Sequence, residues 1–199
     1  YEKKIAHINF IVGDFAENYK KNNFKKCLIM DNGTRSLSSL INKTVPYLKK
    51  INNIEFYVCI DHLSQKFKEQ IYMSNNIVPV SGLKNMHEKL SEVDIIIARG
   101  GFNTISESLV LKKPALFFNE KNNPEVSENL RLLTKELKLA CLINKDDWGK
   151  NFEKKLNSFI KKDSKRIYKK LRYRKFKFNG AKQVVDMISR KLAMESLND

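Results

Sequence analysis

The stretch Val93-Asp94-Ile95-Ile96-Ile97-Ala98-Arg99-Gly100-Gly101-Phe102-Asn103-Thr104-Ile105-Ser106-Glu107-Ser108-Leu109 decides how this chain folds. Its first part is an unbroken apolar run, Ile95-Ile96-Ile97-Ala98, which suits a strand covered on both faces. Its last part, from about Asn103 to Leu111, places apolar residues at helical spacing. Between them, Arg99 to Thr104 contains two adjacent glycines and forms a strand-to-helix turn.

The same rhythm extends in both directions. Strand-like runs are expected at Cys27 to Met30, Ile54 to Ile60, Ile77 to Val80, Val93 to Ala98, Ala115 to Phe118 and Leu139 to Ile143. Helical patterns lie between and after them, at about Ser36 to Lys50, Leu63 to Met73, Asn85 to Ser91, Asn103 to Leu111, Glu125 to Leu137 and Trp148 to Ile160. Strands separated by helices are the pattern of right-handed βαβ crossovers and a parallel sheet. The expected fold is therefore α/β, a Rossmann-like doubly wound parallel sheet of about six strands with C-terminal helices. A chain of 199 residues is long enough to bury one such core.

Two regions stand outside this rhythm. Residues 1–23 read as a linker or the end of a preceding domain, and the opening Tyr1-Glu2-Lys3-Lys4 reads as the cut end of something longer. Residues 24–160 form the expected Rossmann-like domain. Residues 161–199 read as a basic C-terminal helical arm, interrupted around Asn179-Gly180 before a last helix from Ala181 to Met194.

The apolar fraction of 42% and charged fraction of 30% are those of a soluble globular protein, and no run approaches the ~20 apolar residues of a membrane helix. The formal charge of +16 invites a polyanion partner. Most of the basic residues are Lys, in a chain also rich in Asn and Ile, so compositional bias accounts for much of the excess. The local remainder is Lys161 to Lys177, where Arg166, Lys169, Lys170, Arg172 and Arg174 interleave with Tyr168, Tyr173 and Phe176. A solvated helix face, an anionic membrane surface and nucleic acid are the readings left open there, with nucleic acid least favoured. Cys27, Cys59 and Cys141 each sit in an apolar run and read as core, without metal-ligand spacing or a disulfide framework. They point to a cytoplasmic location, and the basic run to a peripheral position on the inner face of a membrane. His7, His62 and His87 are scattered, Asp146-Asp147 reads as a cap before Trp148, and Glu125/Glu128 as an exposed face; neither a metal nor a cofactor is expected. Tyr47, Phe56, Tyr57, Phe117 and Phe118 read as core aromatics.

In a parallel α/β sheet ligands bind beyond the carboxyl ends of the strands. The turns to inspect are Asp31-Asn32-Gly33-Thr34, Ser81-Gly82-Leu83, Arg99 to Thr104, and Asn119 to Pro124. In the third, paired glycines let main chain approach a phosphate, and the following helix offers amides and the positive end of its dipole. Glu107, one turn beyond Asn103, falls on the same helix edge, where its carboxylate can accept from a diol; Arg99 can add a charge-assisted contact. The plainer reading of the same residues is a tight turn whose glycines serve close packing and whose Glu107 is solvated.

Val93 to Leu109, followed by Lys113-Pro114-Ala115-Leu116, resembles the donor-site signature of GT-B glycosyltransferases, nearest the MurG-like branch. The resemblance runs over roughly residues 24–143. It implies one half of a GT-B architecture, binding a nucleotide sugar, a UDP-sugar, and transferring the sugar to an acceptor. Glu107 would hold the ribose; Gly100, Gly101 and Thr104, beside Asn103, would surround the diphosphate. The loop Gly82-Leu83-Lys84-Asn85-Met86 would contact the base, chiefly through Leu83; plain helix entry with Leu83 and Met86 in the core is the alternative. Gly33 and Thr34 would stand in the family's first glycine-rich loop, which here reads Asp31-Asn32-Gly33-Thr34-Arg35, and an inward Asp31 would repel a diphosphate. Asn129 matches the transferase branch, whereas its paired glutamines are replaced by Asn123 to Glu128, so N-acetylglucosamine is not implied. The catalytic base and acceptor site would belong to an N-terminal Rossmann domain, in the same polypeptide or a separate subunit, leaving no catalytic residue to assign here. Related members hydrolyse a UDP-sugar in nonulosonic acid synthesis. A non-catalytic basic module for anionic lipid or nucleic acid is the reading from a different class.

Overall fold

The computed structural model describes residues 24–31, 35–120, 122–174, 183, 185, 186 and 189. Six strands form one sheet: β1 (Lys26–Met30), β2 (Glu55–Cys59), β3 (Ile77–Val80), β4 (Ile95–Arg99), β5 (Ala115–Phe118) and β6 (Cys141–Ile143). Every neighbouring pair is parallel, in the order β3-β2-β1-β4-β5-β6. The chain winds outward from β1 to β3, returns to the centre at β4, and winds outward again. This is the doubly wound sheet expected from the strand and helix rhythm.

The helices are α1 (Ser38–Leu48), α2 (Gln65–Tyr72), α3 (Leu83–Glu92), α4 (Phe102–Val110), α5 (Pro124–Arg131), α6 (Phe152–Ser158) and α7 (Lys165–Tyr173). α5 runs on into a wider π-type turn, Leu132–Glu136, and a second such turn, Phe159–Ser164, joins α6 to α7. The pattern expected to start a helix at Trp148 does so only at Phe152, because Trp148 is extended and a 3-10 turn follows it. The carboxylate of Asp147 closes a capping box with Asn144, around the 3-10 turn Lys145–Asp147. It therefore caps the turn before Trp148 rather than the helix after it. The linker ahead of Phe24 and the break near Asn179-Gly180 lie outside the described residues.

The core explains the continuous apolar runs. Cys27, Leu28, Ile29, Phe56, Val58, Ile96, Ile97, Ala98, Leu116 and Phe117 are all buried, since helices cover both faces of the sheet. Tyr57 is buried as well, whereas Tyr47 and Phe118 are half-buried. Cys27 and Cys59 are buried and Cys141 is half-buried; burial pushes all three thiols up, Cys141 to about 11. The start of the central strand is pinned by Asp94, whose Oδ2 accepts from the amides of Lys25 and Lys26, each at 2.9 Å.

After β6 the chain returns across the sheet. Phe152 packs on Trp148 (5.6 Å between ring centroids) and on Phe56 of β2 (6.3 Å), and Tyr168 meets Phe24 edge-on at 6.4 Å. Ile167 and Leu171 are fully buried, so the helix continues past residue 160 with one face still in the core. Thr44 on α1 ties this return to the rest of the domain: its hydroxyl donates to Leu40 O and accepts from the amide of Gly149, both at 2.8 Å and buried. Thr44→Val keeps the shape but leaves the Gly149 N–H without that acceptor. It should lower stability by about 1–3 kcal/mol in urea denaturation, with Thr44→Ser close to the parent.

Candidate functional site

The crevice of a doubly wound sheet opens where the winding reverses, here between the carboxyl ends of β1 and β4. The turn after β1 carries Gly33 and Thr34, which lie outside the described residues. Asp31, at its start, is 2% exposed, and its carboxylate accepts from the amide of Leu37 (2.8 Å) and the hydroxyl of Ser38 (2.7 Å). The charge is thus engaged at the beginning of α1, where anions are stabilised.

The turn after β4 separates the roles of its two glycines. A Cβ on Gly100 would stand 2.6 Å from Leu130 Cγ, Cδ1 and Cδ2, and Leu130, on α5, is itself 1% exposed. Gly100 therefore has no side chain because α5 packs against the strand end, and its amide donates to Phe118 O at 3.2 Å. Among the described residues, a Cβ on Gly101 would meet only Arg99 Nη1 within 4 Å, at 3.4 Å. Gly101 is the N-cap of α4, so the first turn of that helix faces an approach that Gly101 leaves open. The close-packing reading describes the first glycine, whereas a Cβ on the second would meet no backbone or apolar atom among the described residues.

Arg99 ends β4 with its Nη1 3.4 Å from where a Cβ on Gly101 would stand, and its Nε donates to Glu120 Oε2 at 2.5 Å. Glu120 follows β5, beside β4 in the sheet, and this partnership was not apparent from spacing. On α4, Asn103 is exposed, Thr104 is 4% exposed and Glu107 is half-buried. Arg99, Gly100, Gly101, Asn103, Thr104 and Glu107 are therefore brought together on one strand, turn and helix. Asn129 lies half-buried on α5, next to the Leu130 that touches Gly100.

The loop at Leu83 and Met86 opens α3 after β3, on the far side of β2 and β1 from β4. The side chains of 83–87 lie outside the described residues. The turn leading into them is held by Asp61, just past β2: its carboxylate accepts from Ser81 Oγ at 2.5 Å and from the amide of Gly82 at 3.2 Å. Gly82 has φ +78°, a conformation that glycine adopts without strain. No sequence pattern pointed to Asp61.

Against known proteins, the chain matches the model of the glycosyltransferase family 28 C-terminal domain over residues 32–186. The chain belongs to this family. It is 25% identical over 157 residues to the UDP-N-acetylglucosamine--N-acetylmuramyl-(pentapeptide) pyrophosphoryl-undecaprenol N-acetylglucosamine transferase of Sulfurihydrogenibium sp. (strain YO3AOP1), covering 77% of this chain and 44% of that protein. Its fold is similar to Acinetobacter baumannii MurG, with a TM-score of 0.64 and 17% identity over 86% of this chain and 51% of that one. It is similar also to the glycosyltransferase SnogD from Streptomyces nogalater, with a TM-score of 0.60 and 12% identity over 92% and 49%. The chain thus spans about half the length of the proteins it matches, and the six-stranded sheet is the Rossmann-like half of a GT-B fold.

Two outcomes test this geometry. Gly100→Ala should cost about 1–3 kcal/mol through overpacking. The double variant Gly100→Ala/Leu130→Ala should lose less than the sum of the single changes, read from urea midpoints; strict additivity would remove Leu130 as the cause. For Asp61, the hydrogen bond from Ser81, and then that from Gly82, holds the carboxyl below its ordinary range. A lowered carboxyl contributes stability above its unfolded pKa, and the contribution fades as pH falls from about 4 through the folded value. Asp61→Asn should flatten that part of the acid-denaturation profile. The effect should be small, because the group is exposed.

Proposed function

We propose that this chain is the donor-binding half of a glycosyltransferase and that it holds a UDP-sugar at the first turn of α4. The observation that carries the reading is Gly101: an N-cap without a side chain, whose one neighbour within 4 Å among the described residues is the Arg99 guanidinium, with Glu107 nearly two turns along the same helix. A diphosphate seated there accepts from helix amides and meets the positive end of the dipole. Glu107, as a carboxylate, accepts two hydroxyls of a ribose. Family membership supports this assignment, as does a relative named for transfer from UDP-N-acetylglucosamine.

In transfer, the bond from the anomeric carbon to the diphosphate oxygen breaks, and negative charge grows on the leaving diphosphate. Donors aimed at that charge lower the barrier more than they tighten ground-state binding. The helix terminus and Arg99 fill this role in our reading. Gly33, Thr34, Leu83, Met86 and Asn129 complete the proposed donor contacts. A second Rossmann domain, in the same polypeptide or a separate subunit, supplies the acceptor site and the base, and the acceptor's oxygen forms the new bond to the anomeric carbon as the diphosphate leaves.

Glu107→Ala should weaken UDP binding about ten- to a hundredfold by calorimetry, the scale of a lost pair of hydrogen bonds to a charged group. It should leave binding of inorganic pyrophosphate unaffected, because pyrophosphate has no ribose. UDP affinity equal to the parent's would remove Glu107 from the site.

A further inference from the structure

A cleft of about 350 Å³ lies at the β6 margin of the sheet, with β5 between it and β4 and so apart from the crevice. Its floor is apolar: Leu116, Ala140 and Phe159 line it, and all three are buried. Both π-type turns reach it, Leu132–Glu136 through Thr134 and Lys135, and Phe159–Ser164 through Phe159 and Asp163. Such a turn fits an extra residue into a helix and redirects the side chains around it, a recurrent feature of functional sites.

The walls of the cleft are charged. Three separate elements each contribute a cation to it: Lys135 from the first π-type turn, Lys155 from α6 and Arg166 from α7. Asp163 answers Arg166 at 2.9 Å, and Asp147, from outside the lining, answers Lys155 at 3.3 Å. Three cations thus meet two carboxylates, and one positive charge on an apolar floor is left for a ligand to match. Lysines elsewhere on the surface have no such floor beside them. Half-buried Cys141 stands among these groups, and Asp163, Arg166 and Lys155 all act on its thiol electrostatically. Burial pushes that thiol up to about 11, so at neutral pH it is an uncharged wall and not a nucleophile.

We infer that this cleft binds a small organic anion, a monocarboxylate on an apolar body of about a dozen heavy atoms in all. The volume sets the size, since it falls near the small end of the range for small-molecule sites, about 300–1,000 Å³. The apolar body is buried against Leu116 and Phe159, where the gain follows the area removed from water. The carboxylate accepts from the Lys135 ammonium and the Arg166 guanidinium, in hydrogen bonds strengthened by charge on both partners. Neighbouring charges exclude other classes of ligand. Asp163 in the wall repels a polyanion, and the three cations repel a metal ion that Asp163 and Cys141 could otherwise hold. The inference is independent of donor binding at α4.

The test is an NMR titration of the chain with phenylbutyrate, a monocarboxylate of about that size, followed at assigned backbone amides with and without UDP. Saturable shifts should centre on Lys135, Cys141 and Leu142, with a dissociation constant of about 1 mM, the scale reached by so small a molecule. They should persist when UDP is added, so failure of the donor assignment would leave this one standing. Acetate lacks the apolar body and phenylbutanol lacks the charge; each should bind at least about tenfold more weakly. Lys135→Gln/Arg166→Gln, at two exposed positions, should weaken phenylbutyrate about tenfold. The exposed pair Lys43→Gln/Lys66→Gln, away from the cleft, should bind as the parent does, and both pairs should keep the parent's urea midpoint. Shifts centred elsewhere, or none that saturate by about 20 mM, would overturn the inference. So would acetate binding as well as phenylbutyrate, which would mean that a basic chain merely attracts anions, or phenylbutanol binding as well, which would remove the charge from recognition.

Discussion

β1 and β4 lie side by side, hydrogen-bonded in parallel, while the chain leaves their carboxyl ends in opposite directions. That divergence opens the space above them. The pairing is secured from below, where Asp94 accepts from the amides that begin β1. With the strands themselves buried on both faces, residues able to meet a ligand are confined to the strand ends, and the family's matched segment includes both turns.

The turn after β4 assigns different duties to neighbouring atoms. Leu130 presses on Gly100 from α5 and sets how closely that helix approaches the sheet. At Gly101 the sole neighbour among the described residues is the Arg99 guanidinium, which Glu120 holds. Rigidity comes from the first glycine and access from the second. The flanking carboxylates are disposed accordingly, with Asp31 drawn under α1 and Asp61 holding the entry to α3.

Much of this was legible in the chain. Runs such as Ile95 to Ile97 declare strands hidden on both sides, and the intervening helical spacing declares the crossovers, so element type and order follow from local pattern. The double glycine and Glu107 mark the helix edge because they lie within eight residues of one another. What escaped depends on distant partners. The duty of Gly100 is set by Leu130, thirty residues away, and the direction of Arg99 by Glu120. Spacing alone also placed a cap at Asp146-Asp147 but missed that it closes a 3-10 turn, since Trp148 must stay extended before Gly149 can turn with φ +69°.

The two outermost strands carry a consequence for how the molecule behaves in company. Asn76 and Val80 accept ladder bonds from β2, so the odd-numbered residues of β3 turn their backbone outward, and one of these is Pro79. A proline there offers no N–H to a newcomer. At the opposite margin, β6 is only three residues long and has little to pair with. A sheet bounded in this way resists growth by strand addition, so copies of the domain crowded together have no free ladder on which to pair.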